Sequence, residues 1–515
     1  MKPFTRHKTI NGHTYAYEIT PYYDTKTKNN KQKSKYLGKV QNNQIIKKQQ
    51  KQPQNPKTTY NHGELIPLQK ITQKLNIEKI LNQHLTTEKT QTLLTLAYNK
   101  TLRPLPLYQT QTWYQTTDLK NQWPNLNLTS QRLSELLTEI GQSNIPNTFS
   151  TQLIQQTTPT KTLIYDLTNL TSYSKTITLL EHGHKNKNNH HTQQINLSLV
   201  IDKEKNLPLL YDIYPGSIVD TTTLKNTIKK IKNLNIKNYT LILDRGFFSV
   251  TNIDELLQND LNFIIPATYQ LKGVKQIISD LQHDISDPVY LHKFEDQIIF
   301  VKEVKLFLGE RVLQGYGYYS PCREQTERES FYGKLHDVRV KLESVVLRDW
   351  MSPCVVFGEV AGGFARYFSW KVVGGRFVVE LERDLVLCRV GRMGLFVLFY
   401  CGVFSWDECL CLYKGRDLVE KGFDFLKNDL EVLPLNVRGD GVFRGLLFVG
   451  FLALVLRMQL LDCMRRVGLL GRFTLGSLLL ELEKWKKVEF EDGSFVTVEQ
   501  TKTQRDILEA LESCA

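Results

Sequence analysis

Residues 162–168 read TLIYDLT and residues 239–246 read YTLILDRG, and these two stretches decide the fold. In each, a short run of apolar and β-branched residues ends on an aspartate, Asp166 in the first and Asp244 in the second. Runs of this length and composition predict short buried strands. An aspartate at a strand end is usually a turn residue or a helix cap, so each one alone says little about function.

The segments between these stretches predict how the strands are arranged. Residues 195–201 and 207–214 are apolar and flank the polar turn 202–205, which is typical of a hairpin. Residues 221–234 have the spacing of a helix. A three-strand meander, a helix and a further strand is the order of an RNase H-like sheet, with its first and last strands side by side. Aspartates brought together there would repel each other unless a divalent cation neutralised them.

A third segment, residues 413–427, carries four polar side chains on one face of a predicted helix. The four residues are Tyr413, Arg416, Glu420 and Lys427. The last three follow Tyr413 by three, seven and fourteen residues, which places all four on the same side of a helix. A simple ion pair between Arg416 and Glu420 on a solvated face is one interpretation. The opposite face is strongly apolar, which favours a helix docked on the core.

Taken together, the motifs resemble those of a known family. Residues 413–427 resemble the Y-(2)-R-(3)-E-(6)-K signature of the DDE transposases of the insertion-sequence-four superfamily. Residues 165–168 and 244–247 resemble its two aspartate motifs, and residues 214–220 are similar to its P-G-N-x-x-D stretch. A looser resemblance covers residues 35–39 and 444–456. It is weakest over residues 310–395.

The resemblance implies roles for individual residues. Asp166, Asp244 and Glu420 are expected to be catalytic and to bind two Mg²⁺ ions, with Mn²⁺ as a substitute. The expected DNA-binding residues are Tyr413, Arg416, Lys427, Arg245, Phe247 and Phe248. Arg416 and Lys427 would hold phosphates, and one phenylalanine would stack on a displaced base. Asp424 is a competitor for the third ligand position, but the register of the signature favours Glu420.

The first 60 residues are strongly basic, with thirteen Lys and Arg residues against Glu18 and Asp24. This excess predicts a polyanionic partner such as DNA, the alternative being a solvated basic tail. Weak alternation predicts a β-ribbon that ends in a Gln/Lys/Pro-rich linker. Residues 61–150 have a helical pattern that fits either a DNA-binding region or a small bundle.

The expected fold class is α/β, an RNase H-like mixed sheet core with a β-rich insertion and a basic, mainly helical N-terminal DNA-binding region. The expected segments, in chain order, are the ribbon and linker (1–60), the helical region (61–150), the first part of the core (151–284), the β-rich insertion (285–395), the second part of the core with the catalytic helix (396–470), and a C-terminal tail (471–515). Within the second part, helices are expected over residues 406–430 and 442–461.

Composition changes abruptly near residue 306, after which all eight cysteines and most of the glycines appear. Because the motifs lie on both sides of this position, we attribute the change to nucleotide bias or a recombined gene rather than to a domain boundary. No cysteines form a CxxC pair, which favours reduced thiols. His182, His184, His190 and His191 lack cysteines nearby and match no ordinary zinc spacing, so a polar DNA-facing loop is favoured over a zinc site.

The location expected from the sequence is the cytoplasm, in association with the nucleoid. The N-terminal stretch is polar and basic, without the apolar region of a secretory signal. The apolar run 445–456 is shorter than the roughly 18 residues that span a bilayer, so we expect a core helix and no membrane partner.

These features predict an insertion-sequence transposase that cuts DNA at terminal inverted repeats, inserts the element into target DNA, and works as a homodimer. Two alternatives remain at this point. One is an RNase H-like metal-dependent nuclease without strand transfer, and the other is an inactive DNA-binding derivative of a transposase.

Overall fold

The computed structural model describes residues 2–10, 13–24, 29–41, 44–46, 55–172, 174, 176–182, 193–218, 220–234, 236, 238–429 and 439–512. The chain divides into two compact units. The smaller unit comprises residues 1–60 and 486–498, and the larger unit comprises residues 61–485 and 499–515.

The strands of the described residues are β1 (Phe4–Ile10), β2 (His13–Asp24), β3 (Asn29–Gln41), β4 (Gln44–Ile46), β5 (Pro56–Asn61), β6 (Thr162–Thr171), β7 (Glu181–His182), β8 (Gln193–Asp202), β9 (Leu207–Pro215), β10 (Thr240–Ile242), β11 (Asn262–Pro266), β12 (Leu291–Phe294), β13 (Gln297–Leu308), β14 (Arg311–Tyr319), β15 (Phe368–Val373), β16 (Arg376–Leu381), β17 (Leu395–Cys401), β18 (Lys486–Phe490) and β19 (Phe495–Thr497).

The α-helices are α1 (Leu65–Lys74), α2 (Ile77–Asn82), α3 (Thr87–Leu102), α4 (Thr110–Gln115), α5 (Leu119–Gln122), α6 (Ser130–Gln142), α7 (Ile145–Thr157), α8 (Asp220–Asn233), α9 (Val250–Gln258), α10 (Lys272–Asp284), α11 (Pro321–Ser344), α12 (Pro353–Ala361), α13 (Arg383–Val390), α14 (Trp406–Lys414), α15 (Asp417–Asp424), α16 (Asp440–Arg466), α17 (Leu475–Glu483) and α18 (Lys502–Glu512).

The described residues of the smaller unit form two sheets. Strands β1 to β4 form one sheet in chain order, as the alternating pattern of this segment predicts. Strand β18 pairs with β19 and lies beside β5, where Glu489 binds Lys57 Nζ and Tyr60 Oη, each at 2.7 Å. Strands from residues 486–498 therefore belong to this unit, although the sequence suggested only a tail there. Most of the expected linker lies outside the described residues.

The main sheet of the larger unit is mixed. Its central strands follow the order β9, β8, β6, β10, β11, in which β8 runs antiparallel to β9 and β6, while β10 runs parallel to β6 and β11. Strands β17, β14, β13 and β12 extend the sheet in antiparallel fashion. The expected adjacency of the two aspartate-bearing strands is confirmed, because Thr240 pairs with Thr162 and Ile242 with Ile164.

The central strands are apolar because helices or other segments cover both faces of the sheet. Nine of the ten residues of β8 are buried, as are all three of β10. Continuous runs of this kind are typical of strands buried on both faces, and their burial contributes about 25 cal/mol for each Å² of apolar surface. Such strands fix the backbone from which the two aspartates project.

Residues 285–395 differ from the expected β-rich insertion. Strands β12 to β14 extend the main sheet, and the remainder is mixed, with helices α11 to α13 around the hairpin β15–β16 and a core of its own. Helix α11 buries Phe331, Leu335 and Leu342 in that core, and i,i+4 ion pairs such as Arg323–Glu327 and Arg339–Glu343 add to its stability. The composition change near residue 306 falls inside β13, so it does not mark a boundary of the fold.

Helix α16 runs through the core of the larger unit. By length and composition it is the one helix of the described residues that could cross a membrane, but 83% of its most apolar stretch is buried inside the protein. It crosses α6 at close range through glycines. A Cβ built on Gly445 would lie 2.1 Å from the carbonyl oxygen of Leu137, and one on Gly141 would lie 2.0 Å from that of Gly441.

Candidate active site

Asp166 and Asp244 project from neighbouring strands at the same end of the main sheet. Each follows a paired residue, Ile164 or Ile242, by two positions. Asp166 lies within β6, its side chain is 13% exposed, and its Oδ1 accepts a hydrogen bond of 2.8 Å from the backbone N–H of Leu167. Asp244 lies two residues beyond the end of β10, and its side chain is 36% exposed. The sheet register therefore brings the two carboxylates together.

The expected helix over residues 406–430 is two helices with a break between them. Helix α14 begins at a capping box: the backbone N–H of Glu408 donates to Oγ of Ser405, and the backbone N–H of Ser405 donates to Oε2 of Glu408. The break falls at Gly415 and Arg416, and α15 begins at Asp417. Beyond α15 the chain continues as a short π-helix from Phe425 to Asp429.

Helix α15 lies against β8 through a small residue and an apolar face. Val419 and Phe423 are buried. A Cβ on Gly422 would lie 3.2 Å from Leu199 and 3.3 Å from Ile201, so glycine lets the helix approach the strand closely. This packing confirms a docked helix and leaves Glu420 half-exposed beside the strand ends.

The guanidinium of Arg416 joins three carboxylates. Its Nη1 lies 2.8 Å from Oδ1 of Asp244 and 3.5 Å from Oδ2 of Asp166, and its Nη2 binds Oε1 of Glu420. The i,i+4 pair with Glu420 is thus only one part of the arrangement. Residues from β6, from the segment after β10 and from α15 converge on one cation.

Burial and neighbouring charges shift the pKa values of Asp166 and Arg416. The pKa of Asp166 is raised to about 7, mainly by burial and in addition by the charges of Asp244 and Glu420, while the Leu167 N–H and Arg416 act to lower it. Burial by itself lowers the pKa of Arg416, but the carboxylates, Asp244 first, outweigh it and raise that pKa. The site therefore concentrates negative charge that needs a cation.

The other residues of the 413–427 motif lie around this centre. Lys427 donates a hydrogen bond to Oγ1 of Thr168, two residues beyond Asp166 on β6, and burial lowers its pKa. The Arg416 guanidinium carbon lies 5.9 Å from the centre of the Tyr413 ring. Burial raises the pKa of Tyr413, and Arg416 and Arg245 lie near enough to oppose that rise. Arg245 itself is exposed.

A cavity of about 230 Å³ opens beside Tyr413. Besides Tyr413, two cations and two phenylalanine rings line it, and each cation lies over one of these rings: Arg323 is 4.8 Å from the centre of Phe396, and Lys414 is 4.4 Å from that of Phe294. Sequence reasoning missed Arg323 and Lys414. Arg323 lies in the segment where the motifs are weakest, and only its charge could have signalled it.

Phe247 and Phe248 do not occupy the position that was expected of them. Both rings are buried, at 1% and 6% exposure. Phe247 packs 5.0 Å from the ring of Tyr165, and Phe248 packs 5.6 Å from the ring of Phe399. Neither ring presents a face on which a base could stack in this structure. Two consecutive aromatics after a strand-end aspartate are here part of the core.

Asp424 is exposed and acts on a different partner from Glu420. Its charge acts to raise the pKa of Lys427, whereas the charge of Glu420 acts to raise the pKa of Asp166.

The histidines considered for a zinc site lie outside the described residues, apart from His182. Within the described part of the chain, no group of three or more His, Cys, Asp or Glu side chains is arranged to hold one metal ion.

The three carboxylates nevertheless fit a divalent cation by their chemistry. In this structure they contact one positive group, the Arg416 guanidinium, rather than one another. Carboxylate oxygens are the donors that Mg²⁺ takes in proteins, often from one or two side chains together with substrate phosphates. A cation-binding position among Asp166, Asp244 and Glu420 is therefore consistent with the donor set.

Comparison with known proteins gives the class. Residues 157–332 match the family model described as the transposase DDE domain, a segment that includes Asp166 and Asp244 and stops before Glu420. No curated protein matches the chain. A solved structure, the cryo-EM structure of the piggyBac transposase synaptic complex with hairpin DNA, is similar at 10% identity, covering 82% of this chain and 79% of that chain with a TM-score of 0.38.

The segment 157–332 is thus a transposase DDE domain, which places the chain among enzymes of DNA recombination. The enzyme is a DDE transposase.

Proposed function

We propose that this transposase is encoded by an insertion sequence of the insertion-sequence-four superfamily and moves DNA by a cut-and-paste route. It would cut at terminal inverted repeats and join the freed ends to target DNA, acting as a homodimer on the nucleoid in the cytoplasm. The supporting features are the Y-R-E-K spacing of residues 413–427 and the order of strands β9, β8, β6, β10 and β11, which is the order expected of an RNase H-like core.

One observation carries the proposal: Asp166, Asp244 and Glu420 converge on Arg416, although they come from distant parts of the sequence. An ordinary surface ion pair is worth little and needs no such convergence. Gathering three carboxylates at the end of buried strands costs free energy, because their charges repel. We infer that the three carboxylates are kept together, in spite of this cost, because they serve catalysis.

The proposed cofactor is a pair of Mg²⁺ ions held by Asp166, Asp244 and Glu420, with Mn²⁺ as a substitute. Two ions in such a site activate the attacking oxygen and stabilise the leaving oxygen of an in-line displacement at phosphorus. Asp166 would take part as the carboxylate, since only the ionised form neutralises a cation.

The remaining residues of the motif would hold the DNA backbone. The fork of Arg416 suits a phosphate, and Lys427, fixed by Thr168, would add a point charge beside Asp166. Tyr413 and the exposed Arg245 would contact neighbouring phosphates, with Arg323 and Lys414 extending the cationic lining of the cavity beside Tyr413. These side chains would orient the scissile phosphate rather than transfer protons.

A strand-transfer assay tests the proposal. The substrate is a labelled duplex ending in the inverted repeat that flanks the gene, incubated with Mg²⁺ and a target plasmid. We expect the wild type to cut and join the duplex, Asp166→Asn to do neither, and Asp424→Asn, the matched control one turn from Glu420, to retain both steps.

Two other outcomes would overturn the proposal. Cutting without joining by the wild type would identify a nuclease. Inactivity of the folded wild type, equal to that of Asp166→Asn, would identify an inactive DNA-binding derivative.

A further inference from the structure

The sheet of β1 to β3 in the smaller unit has two different faces. In a strand, alternate side chains point to opposite sides. Strand pairing places Arg6, Tyr17 and Tyr36 in one row across the three strands, and Phe4 and Ile19 in the next row. Ring contacts agree with this register, since the rings of Tyr17 and Tyr36 lie 5.5 Å apart. We call the side that carries these residues the aromatic face.

The aromatic face combines exposed rings with positive charge. Phe4 is 47% exposed and Tyr36 is 43% exposed. Arg6 lies over the Phe4 ring at 5.9 Å, and Lys8 lies over the Tyr17 ring at 5.8 Å. By register, the described residues of β1 to β3 place no acidic side chain on this face.

The opposite face has a different character. It carries Lys31, Lys33 and Lys35, but also Glu18 and Asp24. Lys31 is paired with Asp24 at 2.6 Å, so part of its charge is neutralised within the sheet. Acidic side chains thus lie among the lysines of this face, whereas the charge of the aromatic face is positive throughout its described residues.

We propose that the aromatic face binds single-stranded nucleic acid, with unpaired bases stacking on Tyr36 and Phe4 and phosphates held by Arg6 and Lys8. Every base has a flat π-face, so exposed rings on a sheet accept bases regardless of sequence, and cations beside the rings attract the backbone. Duplex DNA offers no base face to these rings, because its bases are stacked on one another. The exposed rings therefore favour an unpaired strand over a duplex.

This inference does not depend on the proposed catalytic function, because it concerns different residues in a different unit. Its test can be run without metal, so that cleavage plays no part. The full-length chain is titrated into a fluorescein-labelled 20-nucleotide oligo-dT strand in EDTA, and fluorescence anisotropy gives the Kd. Unlabelled duplex of the same length serves as competitor.

We expect Tyr36→Ser to weaken binding of the oligo-dT strand about fivefold or more, since one stacked base is worth about 1–3 kcal/mol. Tyr36→Phe keeps the ring and is expected to bind like the wild type. Tyr22→Ser is the matched control, because Tyr22 is 39% exposed on the opposite face. The double variant Arg6→Gln/Lys8→Gln is expected to lower the salt dependence, by roughly 0.7 in log–log slope for each phosphate that the protein no longer neutralises.

Three results would overturn the proposal. Tyr36→Ser, shown to be folded by circular dichroism, could bind oligo-dT as tightly as the wild type. Tyr22→Ser could lose as much affinity as Tyr36→Ser. The duplex could displace the strand at equal concentration, which would make the surface a general DNA-binding face without base stacking.

Discussion

Nη1 of Arg416 lies 2.8 Å from Oδ1 of Asp244, and the same nitrogen lies 3.5 Å from Asp166 on the neighbouring strand. One guanidinium nitrogen is thus shared by two carboxylates at the end of the sheet. The other terminal nitrogen of Arg416, Nη2, binds Glu420, so all three carboxylates contact the same guanidinium group. The stability of this region and the proposed chemistry of the site therefore involve the same side chains.

Removing the shared cation is expected to destabilise the protein when no metal is added. Arg416→Ala leaves three carboxylates facing one another. We expect the free energy of unfolding, measured with urea in EDTA, to fall by about 1–3 kcal/mol. This is less than for a fully buried ion pair, because Asp244 and Glu420 are partly exposed. Arg339→Ala, which breaks an exposed pair with Glu343, is the control and should change little. Equal stability of Arg416→Ala and the wild type would contradict the ion-pair geometry.

The raised pKa of Asp166 predicts a pH dependence of stability in the absence of metal. A carboxyl with a pKa of about 7 in the folded state holds its proton longer than in the unfolded state, where it titrates near pH 4. The free energy of unfolding should therefore fall as the pH rises from about 4 to about 7.

Asp166→Asn removes this titration, so the difference between Asp166→Asn and the wild type should grow in favour of the variant over the same pH window. The measurement is urea unfolding at several pH values. A difference that stays constant from pH 4 to pH 8 would show that Asp166 titrates normally.

The crossing of α6 and α16 depends on glycine. A Cβ on Gly445 would meet the backbone oxygen of Leu137 at 2.1 Å, and the backbone cannot move aside as a flexible side chain would. We expect Gly445→Ala to cost roughly 1–3 kcal/mol or more, measured by urea unfolding. Gly333→Ala in α11, where a Cβ would meet nothing within 4 Å, should instead stabilise by about 0.5–1 kcal/mol. Similar effects of the two substitutions would show that the helices do not cross this closely.

Phe247 is expected to affect stability rather than DNA binding. Its ring is 1% exposed and packs on Tyr165, so Phe247→Ala should cost about 3–5 kcal/mol, as other buried Phe→Ala changes do. The milder Phe247→Leu should lower the unfolding midpoint while leaving the DNA affinity of the folded protein unchanged. Loss of DNA affinity without loss of stability would restore the stacking role that the sequence suggested.

The sequence predicted the centre of the sheet well because the strands there are read directly from their composition. Short apolar runs that end on Asp166 and Asp244 are buried on both faces, and such strands leave an unambiguous pattern. Their adjacency followed from the order of the elements. The packing of α15 was also foreseeable, because Val419 and Phe423 recur at helical spacing opposite Glu420.

Other features have no local signal. The helix break falls at Gly415 and Arg416. The polar residues on either side keep the spacing of one continuous helix, so their spacing does not reveal the break. In the sequence, Phe247 and Phe248 look like exposed aromatics beside a strand-end aspartate, and only tertiary packing reveals that they are buried. Helix α11 carries Phe331, Leu335 and Leu342 at helical spacing, but charged residues fill many of its other positions, so the β-rich interpretation of this segment missed the helix, and Arg323 with it.

The most direct measurement is the titration of Mn²⁺ into the folded protein by calorimetry, with Asp166→Asn, Asp244→Asn, Glu420→Gln and Asp424→Asn compared with the wild type. If the three carboxylates form one cation site, each of the first three changes should weaken Mn²⁺ binding about tenfold or more, which is about 1.4 kcal/mol. Asp424→Asn should bind as the wild type does. Unchanged binding by Glu420→Gln, or a loss confined to Asp424→Asn, would contradict the assignment of Glu420 as the third member of the site.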